Sequence, residues 1–344
     1  MSRLVKNVAL FATRSAAFSR FLALLEHASA RHPHVLRVLT YHRVDEPGTH
    51  PALNPRLISA TPEAFDQQMS YLAANYYIVS MPEVLYACRT GAALPPRSVM
   101  ITFDDAYRDF AEHAWPTLKR YRLPATLFVP TAYPDRPEMT FWWDRLYQAL
   151  TVGADRRLID TPLGRLPLTT PAQRSQAFGQ LTNYIKKLPH GEAMTLVDRV
   201  CRELGAPSPE HSVLSWDALR RLAAEGVTLG AHTRTHPLMN NVSPTEAQAE
   251  AAGSLGDLER EIGSALPILA YPSGGFNDEV VCAMKRAGFA LAFTTGRGVN
   301  DLRRVDRLRL RRINVGRRTS LGLLRAQLLP WSVYLNRWMP LSGA

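Results

Sequence analysis

Short apolar runs alternate with amphipathic stretches along the chain from residue 35 onward. The runs have the length of buried strands, and the stretches repeat apolar positions at the spacing of helices. This alternation is typical of βα units that build a largely parallel sheet. The apolar runs predict strands over Val35–Tyr41, Tyr77–Ser80, Ser98–Phe103, Ala125–Pro130, Val227–Ala231, Ile268–Tyr271, Leu291–Thr294 and Arg309–Val315. The amphipathic stretches predict helices over Pro62–Ala74, Pro82–Arg89, Ala106–Arg120, Asp217–Glu225, Thr245–Ile262 and Glu279–Ala287.

Residues 132–214 interrupt this rhythm with proline-containing turns and helix-like pieces such as Gln173–Lys187. We interpret them as a mostly helical insertion between two strands rather than as a second catalytic domain. With eight strand candidates, residues 33–316 predict an α/β fold, a distorted or incomplete (β/α) barrel of seven to eight strands. Such barrels carry their chemistry at the C-terminal ends of the strands.

The composition is that of a globular chain, with 46% hydrophobic and 21% charged residues. These values exclude disordered, collagen-like and membrane-spanning classes. The net charge of +11 is concentrated at the two ends of the chain. An anionic membrane surface or an anionic glycan explains these basic ends better than nucleic acid does. The chain has no zinc-finger, RNA-recognition or zipper signature, so we expect no nucleic-acid partner.

The two ends of the chain are predicted to be separate segments. Residues 1–32 form a basic amphipathic segment, and Arg14 and Arg20 interrupt the apolar stretch that a cleaved signal peptide needs. This segment either packs on its own domain or lies on a membrane. Residues 317–344 form a basic, apolar tail. We expect a cytoplasmic protein, peripheral at the inner face of the membrane. The apolar positions behind the membrane hypothesis are Leu4, Val8, Phe11, Phe18, Leu22 and Leu25 in the first segment, and Leu323, Leu324, Leu328, Leu329 and Trp331 in the second.

Two adjacent carboxylates, Asp104 and Asp105, follow the predicted strand Ser98–Phe103. Such a pair is costly at the end of a buried strand unless a cation or hydrogen-bond donors stabilise it. Taken alone, the pair is better explained as a cap of the following helix.

Two imidazoles, His232 and His236, follow the predicted strand Val227–Ala231. Side chains four residues apart can converge on one cation, and neutral histidine is a common ligand of zinc-like metals. A barrel would bring this pair and one or both carboxylates to the same face. Two histidines and one carboxylate leave positions open for water, as in a catalytic divalent metal site.

A third strand end, from Ala270 to Asn277, supplies small residues and a turn. With TFDD at 102–105, HTRTH at 232–236 and YPSGG at 271–275, the chain resembles the polysaccharide deacetylase family, carbohydrate esterase family 4. The resemblance implies that Asp104 is the general base and that Asp105, His232 and His236 hold a divalent metal ion, zinc being favoured. It also implies that the backbone N–H of Ser273 stabilises the oxyanion, with Tyr271 at the substrate.

The chain also departs from the family pattern. Ala270 stands where relatives have an arginine that orients the base, and Arg312 is our candidate replacement. The late histidine that supplies the general acid is missing. Instead, His42 follows the first strand, which resembles the rearranged subgroup of bacterial poly-N-acetylglucosamine deacetylases. His42 is therefore expected to be the acid, the alternative being a hydrogen-bonded barrel histidine.

The insertion opens with the aromatic residues Phe141, Trp142 and Trp143. Trp142 and Trp143 are predicted to stack on a sugar ring, although anchoring of the insertion in the core explains them slightly better. The prediction is a hydrolase that removes N-acetyl rather than O-acetyl groups from a glycan or lipid-linked sugar. Two alternatives stay open: an inactive carbohydrate-binding or scaffold protein on the same fold, and a basic adaptor for membrane or nucleic acid.

Overall fold

The computed structural model describes residues 22–26, 34–152, 156–205, 207 and 210–330. Its strands are β1 Val35–Tyr41, β2 Arg43–Val44, β3 Ile58–Ala60, β4 Tyr77–Ile78, β5 Ser98–Phe103, β6 Thr126–Val129, β7 Leu158–Thr161, β8 Gly164–Pro167, β9 Thr228–Ala231, β10 Ile268–Ala270, β11 Leu291–Arg297, β12 Asn300–Asp301 and β13 Leu310–Asn314. Its helices are α1 Pro62–Asn75, α2 Met81–Thr90, α3 Trp115–Tyr121, α4 Trp142–Val152, α5 Pro171–Ile185, α6 His190–Leu204, α7 Trp216–Ala224, α8 Pro244–Ile262, α9 Asp278–Arg286 and α10 Leu321–Gln327.

Parallel strands close into a barrel. Within the described residues, seven strands form the ring, in the order β1, β13, β11, β10, β9, β6, β5 and back to β1. The predicted barrel is therefore confirmed. The remaining predicted strand, Tyr77–Ser80, is shortened to β4, which lies outside the ring and pairs with the first two residues of β5.

Alternate residues of the ring strands fill the inside of the barrel, among them Leu36, Val38, Met100, Phe128, Ile268, Ala270, Leu291, Phe293 and Leu310. Gly230 of β9 is required there, because a Cβ would lie 2.7 Å from the Phe128 ring. Strand side chains alternate with a period of two. Further positions of the same parity, at or near the C-terminal ends of these strands, are therefore His42, Asp104, His232 and Arg312.

The predicted helix Ala106–Arg120 is wrong in its first part. Asp105 and Ala106 have φ angles of 72° and 50°, outside the helical region, so no helix can begin directly after β5. A π-helical turn over Phe110–Ala114 leads into α3 instead. The chain therefore makes a strained turn at the carboxylate pair, which helix capping does not require.

The insertion contains helices α4, α5 and α6, as predicted, and a hairpin of β7 and β8 that the sequence did not predict. Helix α4 packs against both α5 and α6. The end of the insertion returns to the barrel, where the N–H of Leu214 donates to the carbonyl oxygen of Ala106 at 2.9 Å. The insertion thus lies beside the turn that carries the carboxylates.

The described parts of the two ends pack against the barrel. Glu26 is buried and accepts hydrogen bonds from Tyr71, Tyr76 and Arg325. The membrane hypothesis is wrong for Leu22 and for the leucines at 323, 324, 328 and 329, because these side chains are buried within the protein. Leu25 is half-buried. The remaining positions, Leu4, Val8, Phe11, Phe18 and Trp331, lie outside the described residues. No helix in the described ranges is long and apolar enough to cross a bilayer.

Candidate active site

The ends of β5 and β9 bring three ligand groups together. Asp105 Oδ1 lies 3.4 Å from His232 Nε2 and 3.2 Å from His236 Nε2. The two Nε2 atoms lie 3.2 Å apart. All three side chains are buried. The backbone that holds them is strained, since His236 has a φ angle of 60° and Asp105 one of 72°.

These three groups fit a divalent cation. The Nδ1 atom of His232 lies 2.7 Å from the carbonyl oxygen of Ala270, so Nδ1 carries the proton and Nε2 presents its lone pair. Asp105 Oδ1 is buried and has no hydrogen-bond donor among the described residues. Ligands of a tetrahedral ion with bonds of about 2.0–2.1 Å lie about 3.3–3.4 Å apart. The observed separations match that spacing.

Asp105 is suited to be the anionic ligand. Burial by itself raises the pKa of Asp105, but its contacts with His232 and His236 outweigh that effect and hold the pKa well below the usual range. The group is therefore ionised near neutral pH. Burial also lowers the pKa of His236, and its contact with Asp105 only partly opposes this shift, which favours a neutral imidazole there.

Asp104 lies beside this triad and is held by Arg312. The Nη1 and Nη2 atoms of Arg312 donate to the two carboxylate oxygens of Asp104 at 2.8 and 2.7 Å. The Nε atom of Arg312 donates to the carbonyl oxygen of Thr294 at 2.9 Å, which fixes the plane of the guanidinium. Both side chains are buried. Burial raises the pKa of Asp104, yet the Arg312 charge outweighs it and the pKa is lowered.

A pocket of about 170 Å³ opens over these groups. His42, at the end of β1, lines it together with both carboxylates, and the His42 backbone N–H donates to Ser59 Oγ at 2.9 Å. Ser273 also lines the pocket, in a tight turn with a φ angle of 50°. The structure thus brings together every predicted catalytic and metal-binding residue.

Two of the three predicted substrate-binding residues lie at the pocket and one does not. Trp142 and Trp143 line the pocket, although each is less than a tenth exposed. Tyr271 does not line it. The Tyr271 ring is buried against Phe276, and its hydroxyl donates to the carbonyl oxygen of Leu308 at 3.0 Å. Its side chain is therefore part of the core and does not face the pocket.

Trp143 belongs to a buried hydrogen-bond chain behind the ligands. Its Nε1 donates to the hydroxyl of Tyr107 at 2.9 Å, and that hydroxyl donates to Asp144 Oδ2 at 2.8 Å. The backbone N–H of Asn54 donates to Asp144 Oδ1 at 2.7 Å. The Trp143 ring packs edge to face against His236, with centroids 4.9 Å apart. These contacts therefore connect the insertion to His236, one of the three candidate metal ligands.

Sequence reasoning missed Arg56, Phe178, Thr182 and Lys186, which also line the pocket. The last three lie on or directly after α5. The amphipathic pattern did predict this helix, but which of its residues reach the pocket depends on how the insertion packs on the barrel.

The sequence profile of the polysaccharide deacetylase family matches residues 91–292. The chain belongs to this family. The matched span contains the carboxylate pair, both histidines of the triad and Ser273, whereas His42 and Arg312 lie outside it.

Similar proteins support the same assignment. The Bacillus subtilis protein YxkH is 21% identical over 267 residues, which are 77% of this chain and 66% of YxkH. The poly-beta-1,6-N-acetyl-D-glucosamine N-deacetylase of Escherichia coli K12 is 30% identical over 100 residues, 29% of this chain and 14% of that protein. The protein of that name from Staphylococcus aureus MSSA476 is 36% identical over 76 residues, 22% of this chain and 26% of the relative. The chain thus covers less than two thirds of each relative's length.

Two solved structures share the fold. The Streptococcus pyogenes deacetylase PplD, determined in complex with acetate, has a TM-score of 0.59 at 22% identity and covers 87% of this chain and 100% of its own. IcaB from Ammonifex degensii has a TM-score of 0.55 at 18% identity, with 86% and 97% covered. The matches to the two poly-beta-1,6-N-acetyl-D-glucosamine N-deacetylases confirm the resemblance to that subgroup.

Proposed function

We propose that this deacetylase-family protein is a metal-dependent hydrolase that removes N-acetyl groups from a glycan or lipid-linked sugar. One observation carries the proposal: three ligand atoms converge within 3.4 Å beside a carboxylate that Arg312 holds. A closed structural metal site needs four protein ligands, whereas this set has three and faces a pocket.

Asp105, His232 and His236 would hold the ion, and we favour zinc. A bound divalent ion supplies Lewis acidity, which lowers the pKa of water and polarises the acetyl carbonyl. Asp104 is the general base in this proposal. Its pKa is lowered and both its oxygens accept from Arg312, so it is ionised and fixed in orientation when it takes the proton of the attacking water.

His42 is the proposed general acid, because it lines the same pocket as the base. An amine must be protonated as its bond to the acetyl carbon breaks, and imidazole can donate that proton near neutral pH. A general acid in the pocket therefore favours N-acetyl substrates, because the alkoxide that leaves from an O-acetyl group depends less on protonation. The backbone N–H of Ser273 is proposed to stabilise the oxyanion.

The inactive alternative rested on the missing arginine and the missing late histidine. Arg312 supplies a guanidinium to Asp104, and His42 supplies an imidazole to the pocket. The active reading is therefore the better supported of the two.

The proposal is tested by acetate release from N-acetylglucosamine oligomers, measured on chelated protein and after zinc is added back. Activity should depend on the ion and should fall by about 10²–10⁴-fold in Asp104→Asn, the size of effect expected when a general base is lost. Glycan binding without acetate release at any metal loading would support the scaffold instead.

Association with an anionic membrane surface at the cytoplasmic face is a further part of the proposal, carried by the basic ends of the chain. Sedimentation with vesicles tests it. Recovery with anionic vesicles should exceed recovery with neutral ones, and equal recovery would contradict it.

A further inference from the structure

Two cationic side chains stand at the rim of the pocket. Arg56 belongs to the short turn before β3, and Lys186 directly follows α5. Both residues line the pocket and are exposed. Within the described part of the chain, neither forms an ion pair with a carboxylate. Their charges are therefore available to a ligand.

Neighbouring groups hold the guanidinium of Arg56 and the backbone of Lys186 in place. The Nη2 atom of Arg56 donates to Ser175 Oγ at 2.9 Å, and its guanidinium lies 5.4 Å from the centre of the Phe178 ring. The carbonyl oxygen of Lys186 accepts from Asn241 Nδ2 at 2.9 Å, which ties the end of α5 to the loop after β9. The rim is thus a built surface that joins the insertion to the barrel.

A hydroxyl group lies one helical turn before Lys186. Thr182 and Lys186 are four residues apart and share one face of α5. The Thr182 Oγ1 atom is buried and has no hydrogen-bond partner among the described residues, and Thr182 lines the pocket. The face of α5 that lines the pocket thus carries one hydroxyl without a protein partner beside Lys186.

The charge balance of the pocket is positive. Asp104 is neutralised by Arg312 through two hydrogen bonds. Asp105 is the carboxylate whose negative charge reaches Lys186. The three cations Arg56, Lys186 and Arg312 therefore stand beside two carboxylates, which leaves a positive charge in excess even without an ion. A divalent ion on Asp105 would add to that excess.

We propose that the acetylated sugar this site accepts carries an oxyanion, a phosphate or a carboxylate, which Arg56 and Lys186 bind at the rim. The inference rests on the proposed function, since it names the substrate class of that same site. Charge-assisted hydrogen bonds from a guanidinium and an ammonium to an oxyanion are stronger than those between neutral groups. Neutral acetylated sugars would lack this contact.

The inference is tested by measuring the binding affinity of each sugar to metal-free protein by calorimetry. Without the metal, no sugar is hydrolysed and no phosphate can bind to an ion. The probes are N-acetylglucosamine, N-acetylglucosamine 1-phosphate, N-acetylmuramic acid as the carboxylate sugar, and inorganic phosphate alone. We expect at least one charged sugar to bind about tenfold more tightly than the neutral one. That ratio should shrink when the salt rises from about 50 to about 500 mM, because exposed charges are screened.

Lys186→Met and Arg56→Met should each lower the affinity for the charged sugar several-fold more than the affinity for the neutral sugar. Lys187→Met is the matched control, because Lys187 is the exposed neighbour that does not line the pocket. Should Arg56→Met fail to fold, Lys186→Met decides. The inference would be overturned if charged and neutral sugars bound equally, or if Lys186→Met and Lys187→Met lost the same affinity. It would also be overturned if inorganic phosphate bound but neither charged sugar did.

Acetate release from the same sugars with zinc present separates the two proposals. If neither kind of sugar releases acetate but the binding preference holds, the proposed function fails and the rim site stands. If the neutral sugar is hydrolysed with the same kcat/KM as the charged ones, the function stands and the rim inference fails.

Discussion

Arg312 holds Asp104 through two parallel hydrogen bonds, although 208 residues separate them in the chain. Asp104 follows β5 and Arg312 lies on β13, and both strands are neighbours of β1 in the barrel. Ala270, at the end of β10, stands where relatives were expected to have an arginine. The orienting cation therefore enters the site from a different strand.

Arg312→Lys should lower kcat/KM by about a hundredfold, because a lysine cannot make the two parallel hydrogen bonds and the base loses its orientation. Arg312 lowers the pKa of Asp104 through its charge and its hydrogen bonds, so Arg312→Met, which removes both, should move the acidic limb of the pH–rate profile to higher pH. Arg311→Lys, at the exposed neighbour, is the control and should change neither property. An unmoved acidic limb would mean that Arg312 does not act on the base.

His42→Ala should keep the metal and lose amide hydrolysis by about 10²–10⁴-fold, as expected for a missing general acid. Hydrolysis of an activated aryl acetate should fall much less, because its leaving group needs no proton. Metal content and both rates are measured on the same preparation. Loss of the metal together with equal loss on both substrates would make His42 a ligand or a structural residue.

Asp144→Asn should change how stability depends on pH. Burial raises the pKa of Asp144 to about 7, although hydrogen bonds from Asn54 and Tyr107 oppose the shift. Unfolded aspartate titrates at about 3.9, so the folded protein binds the proton more tightly. The stability that this proton contributes is fully present below about pH 3.9, the pKa in the unfolded chain, and is lost as the pH rises through 7, the pKa in the folded protein.

The free energy of unfolding of the metal-free wild type, relative to Asp144→Asn, should therefore fall by about 1.4 kcal/mol per pH unit between about pH 4 and 7. Urea unfolding at several pH values measures it, with exposed Asp217→Asn as the control. A constant difference between wild type and Asp144→Asn would contradict the assignment.

Trp143→Ala should destabilise the fold by about 3–5 kcal/mol, because the ring is almost fully buried and packs on Phe141 and His236. Thermal unfolding measures the loss. Trp143 was expected either to stack on a sugar or to anchor the insertion, and its burial favours the anchor. A raised KM with an unchanged melting temperature would favour the sugar.

The sequence predicted the barrel well because its strands are buried and bounded by turns. The bounds of β1 and β5 match the prediction without change, and the other ring strands differ by up to three residues at an end. Arg312 could be named in advance because its strand was recognised as Arg309–Val315, the last strand of the predicted barrel. Its contact with Asp104 needed the closed ring.

Other features could not be predicted because they depend on tertiary packing. The positive φ angles at Asp105, Ala106 and His236 contradict local preference and replace the expected helix start with a strained turn. Tyr271 matched the family motif, but the core takes up its hydroxyl. Arg56 and Lys186 look like ordinary surface residues until the insertion folds over the strand ends.

The most direct test of metal-dependent deacetylation is a titration of chelated protein with zinc while acetate release from an N-acetylglucosamine oligomer is followed. Activity should rise from the background level and reach a plateau at one ion per chain, because Asp105, His232 and His236 form one site. His236→Ala should show no such rise, and His113→Ala, at a histidine outside the pocket, should match the wild type. Full activity in the chelated protein, or an unchanged titration in His236→Ala, would contradict the account.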